Sequence, residues 1–297
     1  MSPYQTLYNI IQKLPEIDGT IQPDVQAAIK NHKSSNISPV MAFPLKVGGT
    51  FLREALVNLL SKNYKAVLTR GSYASTDQAR DLYFPSSLNV HVTAQERPIA
   101  AVVHCHMYAT LPVTSMLEVF NMPIVVSTRN ILDTLLSYYE MLEKDSDEGI
   151  VARDDLVLQT YAPYHKLADE DKRWHLVNVA PIWFSRFYAY WIRYTEDCVT
   201  RSINSPLWTS FRELKDEGPA LLGKIVRHVD PANQYSDEEV ELAFNEALAD
   251  KQKLRFNKGV SHRGENFFNA EEKATIYRLM GSNDAQHLKQ LEKLEVL

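Results

Sequence analysis

Apolar residues fall along this chain in two rhythms. Val40 to Phe43 is a short continuous apolar run, the pattern of a buried strand, and Pro44 ends it. From Thr50 the spacing becomes helical and holds through Leu59 and Leu60. Ala66-Val67-Leu68 predicts a second short strand, and residues 71–98, polar and broken by Pro85 and Pro98, predict a loop. Ile99 to Cys105 is the longest strand-like run. A helix is expected from Pro112 to about Phe120, a strand over Pro123–Thr128, and a helix from Ile131 to Leu142 that buries Leu132, Leu135, Leu136 and Tyr139.

Upstream, Tyr4, Leu7, Ile10, Ile11 and Leu14 mark one helix and residues 23–32 a second. His32 to Ser38 is a polar linker, so residues 1–38 are expected to form an N-terminal helical extension and 39–297 a single α/β domain. Residues 144–175 are charged and irregular and predict a lid or acceptor loop. Pro181–Thr200 predicts a helix dense in aromatics, from Trp183 to Tyr194, that packs as core. A strand over Leu207–Phe211 and helices near 217–229, 236–249, 270–280 and 283–295 complete the pattern. Strands alternating with helices predict a central parallel sheet flanked by helices, a three-layer arrangement with ligands at the carboxyl ends of the strands.

Composition narrows the function. A length of 297 residues with 45% apolar content supports a sizeable core, and a net charge of −5 speaks against general nucleic-acid binding. No apolar run reaches the length of a membrane span, and Met1 to Lys13 lacks a secretion-signal pattern. Cys105 and Cys198 are the only cysteines. The expectation is a soluble, cytoplasmic protein without membrane or nucleic-acid partners.

The candidate chemistry lies between the elements. After the first strand come Lys46 and the Gly48-Gly49 pair, then a helix, which is the layout of an anion cradle. It is not a Walker A loop, because the lysine precedes the glycines and no Ser or Thr follows it directly. A turn with a solvated lysine is the plainer alternative. Arg129, at a strand end, and Ser137, two turns into the next helix, form a second anion candidate, with Asp133 between them suiting the helix dipole. Arg255 to Gly264 is a basic, glycine-containing third. His104-Cys105-His106 offers either half of a metal site or a general base at a strand end.

In this order, the pieces resemble the sulfotransferases that use 3′-phosphoadenosine 5′-phosphosulfate (PAPS), particularly the cytosolic type. That family's Pro-Lys-Ser-Gly-Thr-Thr-Trp loop is matched by Lys46-Val47-Gly48-Gly49-Thr50-Phe51, and its Lys-Thr-His by His104-Cys105-His106. Its Arg-Asn-Pro-x-Asp-x-x-x-Ser-Tyr-Tyr is matched by Arg129 through Tyr139, with Ile131 in place of proline. Its aromatic helix is matched at Trp183, Phe184 and Trp191, its Phe-Tyr-Glu-Asp-Leu-Lys loosely by Ser210 through Lys215, and its Arg-Lys-Gly-x-x-Gly by Asn257-Lys258-Gly259 with a late Gly264.

The resemblance implies a P-loop-type α/β fold and sulfonate transfer from PAPS to a hydroxyl or amine of a small-molecule acceptor, with 3′,5′-adenosine bisphosphate (PAP) as product. It implies Lys46 at the leaving phosphate, with Val47, Gly48, Gly49 and Thr50 around the phosphosulfate. Phe51 and Phe211 fall near adenine. Arg129, Ser137, Arg255, Lys258 and Gly259 fall at the 3′-phosphate, and His106 is the general base. No metal is implied. Several positions depart from the family. Val47 and Gly49 replace hydroxyl residues, Phe211 a tyrosine, His104 a lysine, and Asn257 an arginine for which Arg255 or Arg263 could substitute. Other readings stay open: a kinase-like nucleotide transferase, a metal hydrolase on His104 and His106, or a non-catalytic nucleotide-binding module. The acceptor and the oligomeric state, a homodimer included, are also open.

Overall fold

The computed structural model describes residues 37–70, 98–119, 121–147, 164–249, 262–282 and 285–297. Strand β1 (Val40–Ala42) leads through the glycine turn into helix α1 (Gly49–Leu60) and then β2 (Lys65–Arg70). β3 (Ile99–Cys105), α2 (Leu111–Val119), β4 (Ile124–Thr128) and α3 (Ile131–Asp147) follow. After a 3₁₀ turn at Tyr164–Lys166 come α4 (Asp169–Asn178), α5 (Ala180–Arg201), β5 (Leu207–Ser210) and α6 (Phe211–Asp216). The chain ends with α7 (Pro219–Val229), α8 (Asp237–Ala249), α9 (Gly264–Phe267), α10 (Ala270–Met280) and α11 (Ala285–Lys293).

The five strands form one sheet in the order β2-β3-β1-β4-β5, and every pair is parallel. The α/β class and the parallel sheet flanked by helices are as expected. Strand side chains alternate between two cores, which is why these strands read as unbroken apolar runs. Val40 and Ala42, Val103 and Cys105, and Ile124 and Val126 face α3 and α5. Met41 and Phe43, Ala100 and Val102, and Val125 face α1, α7 and α8. With β1 between β3 and β4, the strand order reverses at the carboxyl end of β1, the position where parallel α/β sheets bind ligands.

Two expectations change. Residues 144–175 are not irregular throughout: α3 runs on to Asp147, and α4 occupies 169–178. The charges that hid these helices pair with one another. Lys172 lies 3.2 Å from Glu143 and 3.5 Å from Asp169, and Tyr164 donates its hydroxyl to Glu143 at 2.8 Å, while Leu176 and Val177 supply the buried face. Phe211 is not the end of β5 but the first residue of α6. Ser210 and Glu213 form a capping box there, with main-chain to side-chain bonds of 3.0 and 2.6 Å. The expected N-terminal helices and most of the 71–98 loop lie outside the described residues.

Candidate active site

Four of the five strand ends deliver candidate side chains to the same edge of the sheet. β1 ends in the glycine turn, β3 in His106, β4 in Arg129 and β5 in Phe211. In the turn, Lys46 and Gly48 take left-handed backbone conformations, with φ of 67° and 85°. That twist ends the strand and aims the start of α1 back over the sheet edge. α1 begins on Gly48 without a side-chain cap. Phe51 N–H bonds back to Gly48 O at 3.1 Å, so in the first turn it is the N–H groups of Gly49 and Thr50 that are left for a ligand or solvent.

The start of α3 is built differently. Asn130 Oδ1 accepts from the N–H groups of Leu132 and Asp133 at 3.1 and 3.2 Å, and Val296 O accepts from Ile131 N–H at 2.7 Å. An anion at this end is therefore left to side chains, Arg129 and Ser137.

Arg129 joins the two motifs. Its Nη1 donates to the carbonyl oxygen of Lys46 at 2.8 Å, and its guanidinium lies 4.2 Å over the centroid of the Phe211 ring. The same ring closes on the turn, since a Cβ on Gly48 would meet Leu214 Cδ2 at 2.8 Å and Phe211 Cδ2 at 3.3 Å. Burial pulls the Arg129 pKa below its usual value. Nearby Asp133 opposes that shift and Arg263 adds to it.

His106 is oriented by the backbone. Its Nδ1 lies 2.5 Å from the carbonyl oxygen of Phe43. A carbonyl only accepts, so Nδ1 carries the proton and the lone pair is at Nε2, the arrangement a general base needs. Burial lowers the His106 pKa, and the bond to Phe43 partly opposes the change. His104 stands beside it with ring centroids 5.2 Å apart, and its Nε2 is buried without a hydrogen-bond partner. Its pKa is held well below the usual value, by burial first and then by the charges of His106 and Arg53. The aromatic helix supports this strand end. Trp191 Nε1 donates to Met107 O at 2.9 Å, and Tyr108 stacks on Tyr190 with centroids 5.5 Å apart. Among the described residues no three His, Cys, Asp or Glu side chains gather as a metal site.

Some predicted side chains face the core. Val47 is fully buried and Phe51 nearly so, edge-on to Phe244 with centroids 4.7 Å apart. Both side chains are taken up by packing. Ser137 is buried on α3. Arg255, Lys258 and Gly259 lie outside the described residues. Three partners were not read from the sequence: the Phe43 carbonyl, Phe244, and buried Arg53, which electrostatically faces His104. The parallel register of β1 on β3, which sets Ala42 opposite Cys105, was the missing signal for the first of these.

No protein-family model and no curated protein sequence matches the chain. Among solved structures, it is similar in fold to a mouse sulfotransferase, SULT7A1, crystallised in complex with PAP. The TM-score is 0.54 at 16% identity, over 91% of this chain and 94% of that one.

Proposed function

We propose that the protein is a PAPS-dependent sulfotransferase acting on a small-molecule acceptor. The observation that carries this reading is the Arg129–Lys46 bond, which fuses two anion-binding motifs at the carboxyl edge of a parallel sheet. A nucleotide with phosphates at both its 5′ and 3′ positions needs two such centres. The fold shared with a PAP-bound sulfotransferase is consistent with it. PAPS would supply the activated sulfonate and the leaving phosphate.

The residues divide the work. The uncapped first turn of α1, with Gly48, Gly49 and Thr50, is suited to the 5′-phosphosulfate, and Lys46 to the charge that grows on the departing phosphate. Arg129 and Ser137 are suited to the 3′-phosphate. Phe211 is the aromatic wall between them, and Val47 and Phe51 shape the loop from behind. His106 Nε2 takes the acceptor's proton as its oxygen or nitrogen attacks sulfur. The new bond to sulfur forms as the sulfur–oxygen bond to the phosphate breaks, releasing PAP and leaving the proton on His106. General-base help of this kind is worth about 10²–10⁴ in rate.

The test is to incubate the purified chain with PAPS and a panel of phenols, alcohols and amines, and to follow PAP and sulfonated product by mass spectrometry. Transfer that is lost in His106→Ala supports the reading. PAP binding without transfer to any acceptor would make the protein a nucleotide-binding module, and magnesium-dependent ATP turnover would make it a kinase-like transferase.

A further inference from the structure

The chain has four tryptophans, and the indole N–H groups of three are accounted for. Trp174 is exposed to solvent, Trp191 donates to Met107 O at 2.9 Å, and Trp208 donates to Thr195 Oγ1 at 3.0 Å. Trp183 is the exception. It is 4% exposed, and its Nε1 is buried without a hydrogen-bond partner. A buried tryptophan usually finds an acceptor for its N–H, and native proteins leave few such donors unmatched.

The unmatched donor stands beside the chain that leaves the reacting edge of the sheet. Trp183 lies 6.0 Å, centroid to centroid, from Tyr108. Tyr108 follows His106 by two residues, at most about 7 Å of main chain. Three residues along α5 from Trp183, Arg186 holds its guanidinium 5.5 Å from the centroid of the same tyrosine ring. Arg186 is exposed, and among the described residues it forms no ion pair. Tyr190, stacked on Tyr108, steadies the ring. A buried indole N–H and a rim guanidinium therefore flank one aromatic ring next to the proposed base. Both groups only donate, and the protein gives neither an acceptor.

We propose that Trp183 and Arg186 receive an acidic group on the acceptor, so that the substrate is an anionic hydroxyl compound, a phenol or alcohol that also bears a carboxylate. This rests on the sulfotransferase reading and names the substrate class of its site. The hydroxyl lies at His106 Nε2, the carboxylate at α5, and Tyr108 forms the wall between them. A carboxylate offers two oxygens with about four acceptor positions, enough to meet both donors. Arg186 draws the anion in, but its exposure keeps that ion pair weak. The Trp183 N–H is shielded from water, so it carries the larger share of the selectivity. A protonated amine is repelled by Arg186.

The experiment follows transfer from PAPS to three acceptors that share one phenol: 3-(4-hydroxyphenyl)propionate, its primary amide, and tyramine. They carry a carboxylate, a neutral amide and an ammonium group. The acid-over-amide ratio of kcat/KM is read in wild type, Arg186→Ala, Arg186→Glu and Trp183→Phe, with calorimetric titration of PAP alongside. A ratio taken within one variant does not depend on how much of that variant is folded. Wild type is expected to favour the acid by about 10–100-fold, the worth of a charge-assisted hydrogen bond, with tyramine slowest. Arg186→Ala lowers the ratio by about 3–5-fold and Arg186→Glu lowers it further. Trp183→Phe lowers it by about tenfold. Equal transfer to all three acceptors, or a preference for the acid that persists unchanged in Arg186→Glu and Trp183→Phe, overturns the assignment and leaves the sulfotransferase reading standing. Transfer to other alcohols or amines with none to these three does the same. If PAP does not bind, or no acceptor at all is sulfonated, both fall.

Discussion

The imidazole of His104 occupies the space that a side chain on residue 49 would need: a Cβ on Gly49 would stand 2.7 Å from His104 Nε2 and 2.7 Å from Phe43 Cδ2. Position 49 is the first residue of α1, at the heart of the candidate anion loop, and the absence of a side chain there fits what β3 presents. Gly49→Ala is expected to destabilise the protein by about 1–3 kcal/mol, the usual cost of overfilling a packed site. Adding His104→Ala should recover part of that loss, because a ring that can be removed causes half of the clash. Chemical denaturation of the two single variants and the double variant measures the coupling, expected to exceed about 0.5 kcal/mol. Strict additivity would mean that the loop moves away instead.

Gly264 is tighter still, and what it meets is backbone. The carbonyl of Leu132 cannot rotate away as a side chain would. Gly264→Ala is expected to cost about 3 kcal/mol and to weaken PAP binding as well, since it lifts the 262–264 segment off Asp133. Loss of stability with unchanged PAP affinity would show that this contact is structural only.

If His106 is the general base proposed above, it sets the pH dependence of turnover. Its pKa is lowered by burial, and the proposed proton transfer uses the lone pair at Nε2. The acidic limb of kcat/KM should therefore lie below the unperturbed histidine value of about 6.5 and be absent in His106→Ala, whose PAP affinity is retained. The same shift has a consequence for stability. His104 and His106 bind protons more weakly when folded than when unfolded, so the unfolded chain takes up more protons below about pH 6.5. Stability is full above that pH and falls as pH drops from there through the lower folded pKa values. Thermal melts across pH 5 to 8 read this directly, and His104→Phe should flatten the slope.

Much of this was legible in the sequence, for identifiable reasons. β1, β3 and β4 are covered on both faces, so they read as continuous apolar runs, and proline marked their ends. The glycine turn and Arg129 announced themselves by residue type at strand ends, and Ser137 by its place two turns into the following helix. What the chain could not reveal by pattern were contacts between main chain and side chain across the sheet. Phe43 lends His106 a carbonyl, and Lys46 lends one to Arg129; a carbonyl has no residue signature. Asp133 looked like a helix-dipole residue, because nothing local tells that its partners, the N–H groups of His262 and Gly264, sit more than 120 positions downstream. Helix α4 stayed hidden because its charges outnumber its buried residues, and its long-range ion pairs, Lys172 with Glu143 and Arg173 with Glu272, need partners that only the fold brings near.

Arg129 ties the whole account together, since it contacts the glycine loop through the Lys46 carbonyl and the aromatic wall through Phe211. Arg129→Ala removes a charge-assisted hydrogen bond worth about 1.5–3 kcal/mol and is expected to lower stability on that scale. Arg129→Lys keeps the charge but not the fork and should recover little of the nucleotide affinity.

The most direct measurement is the affinity of the unmodified chain for PAP against AMP and ATP, with Arg129→Ala alongside. Binding of PAP at least about tenfold tighter than either mononucleotide, a difference of about 1.4 kcal/mol or more, and lost in Arg129→Ala, is the predicted result. Equal affinity for PAP and AMP, or a preference for ATP, would contradict the account.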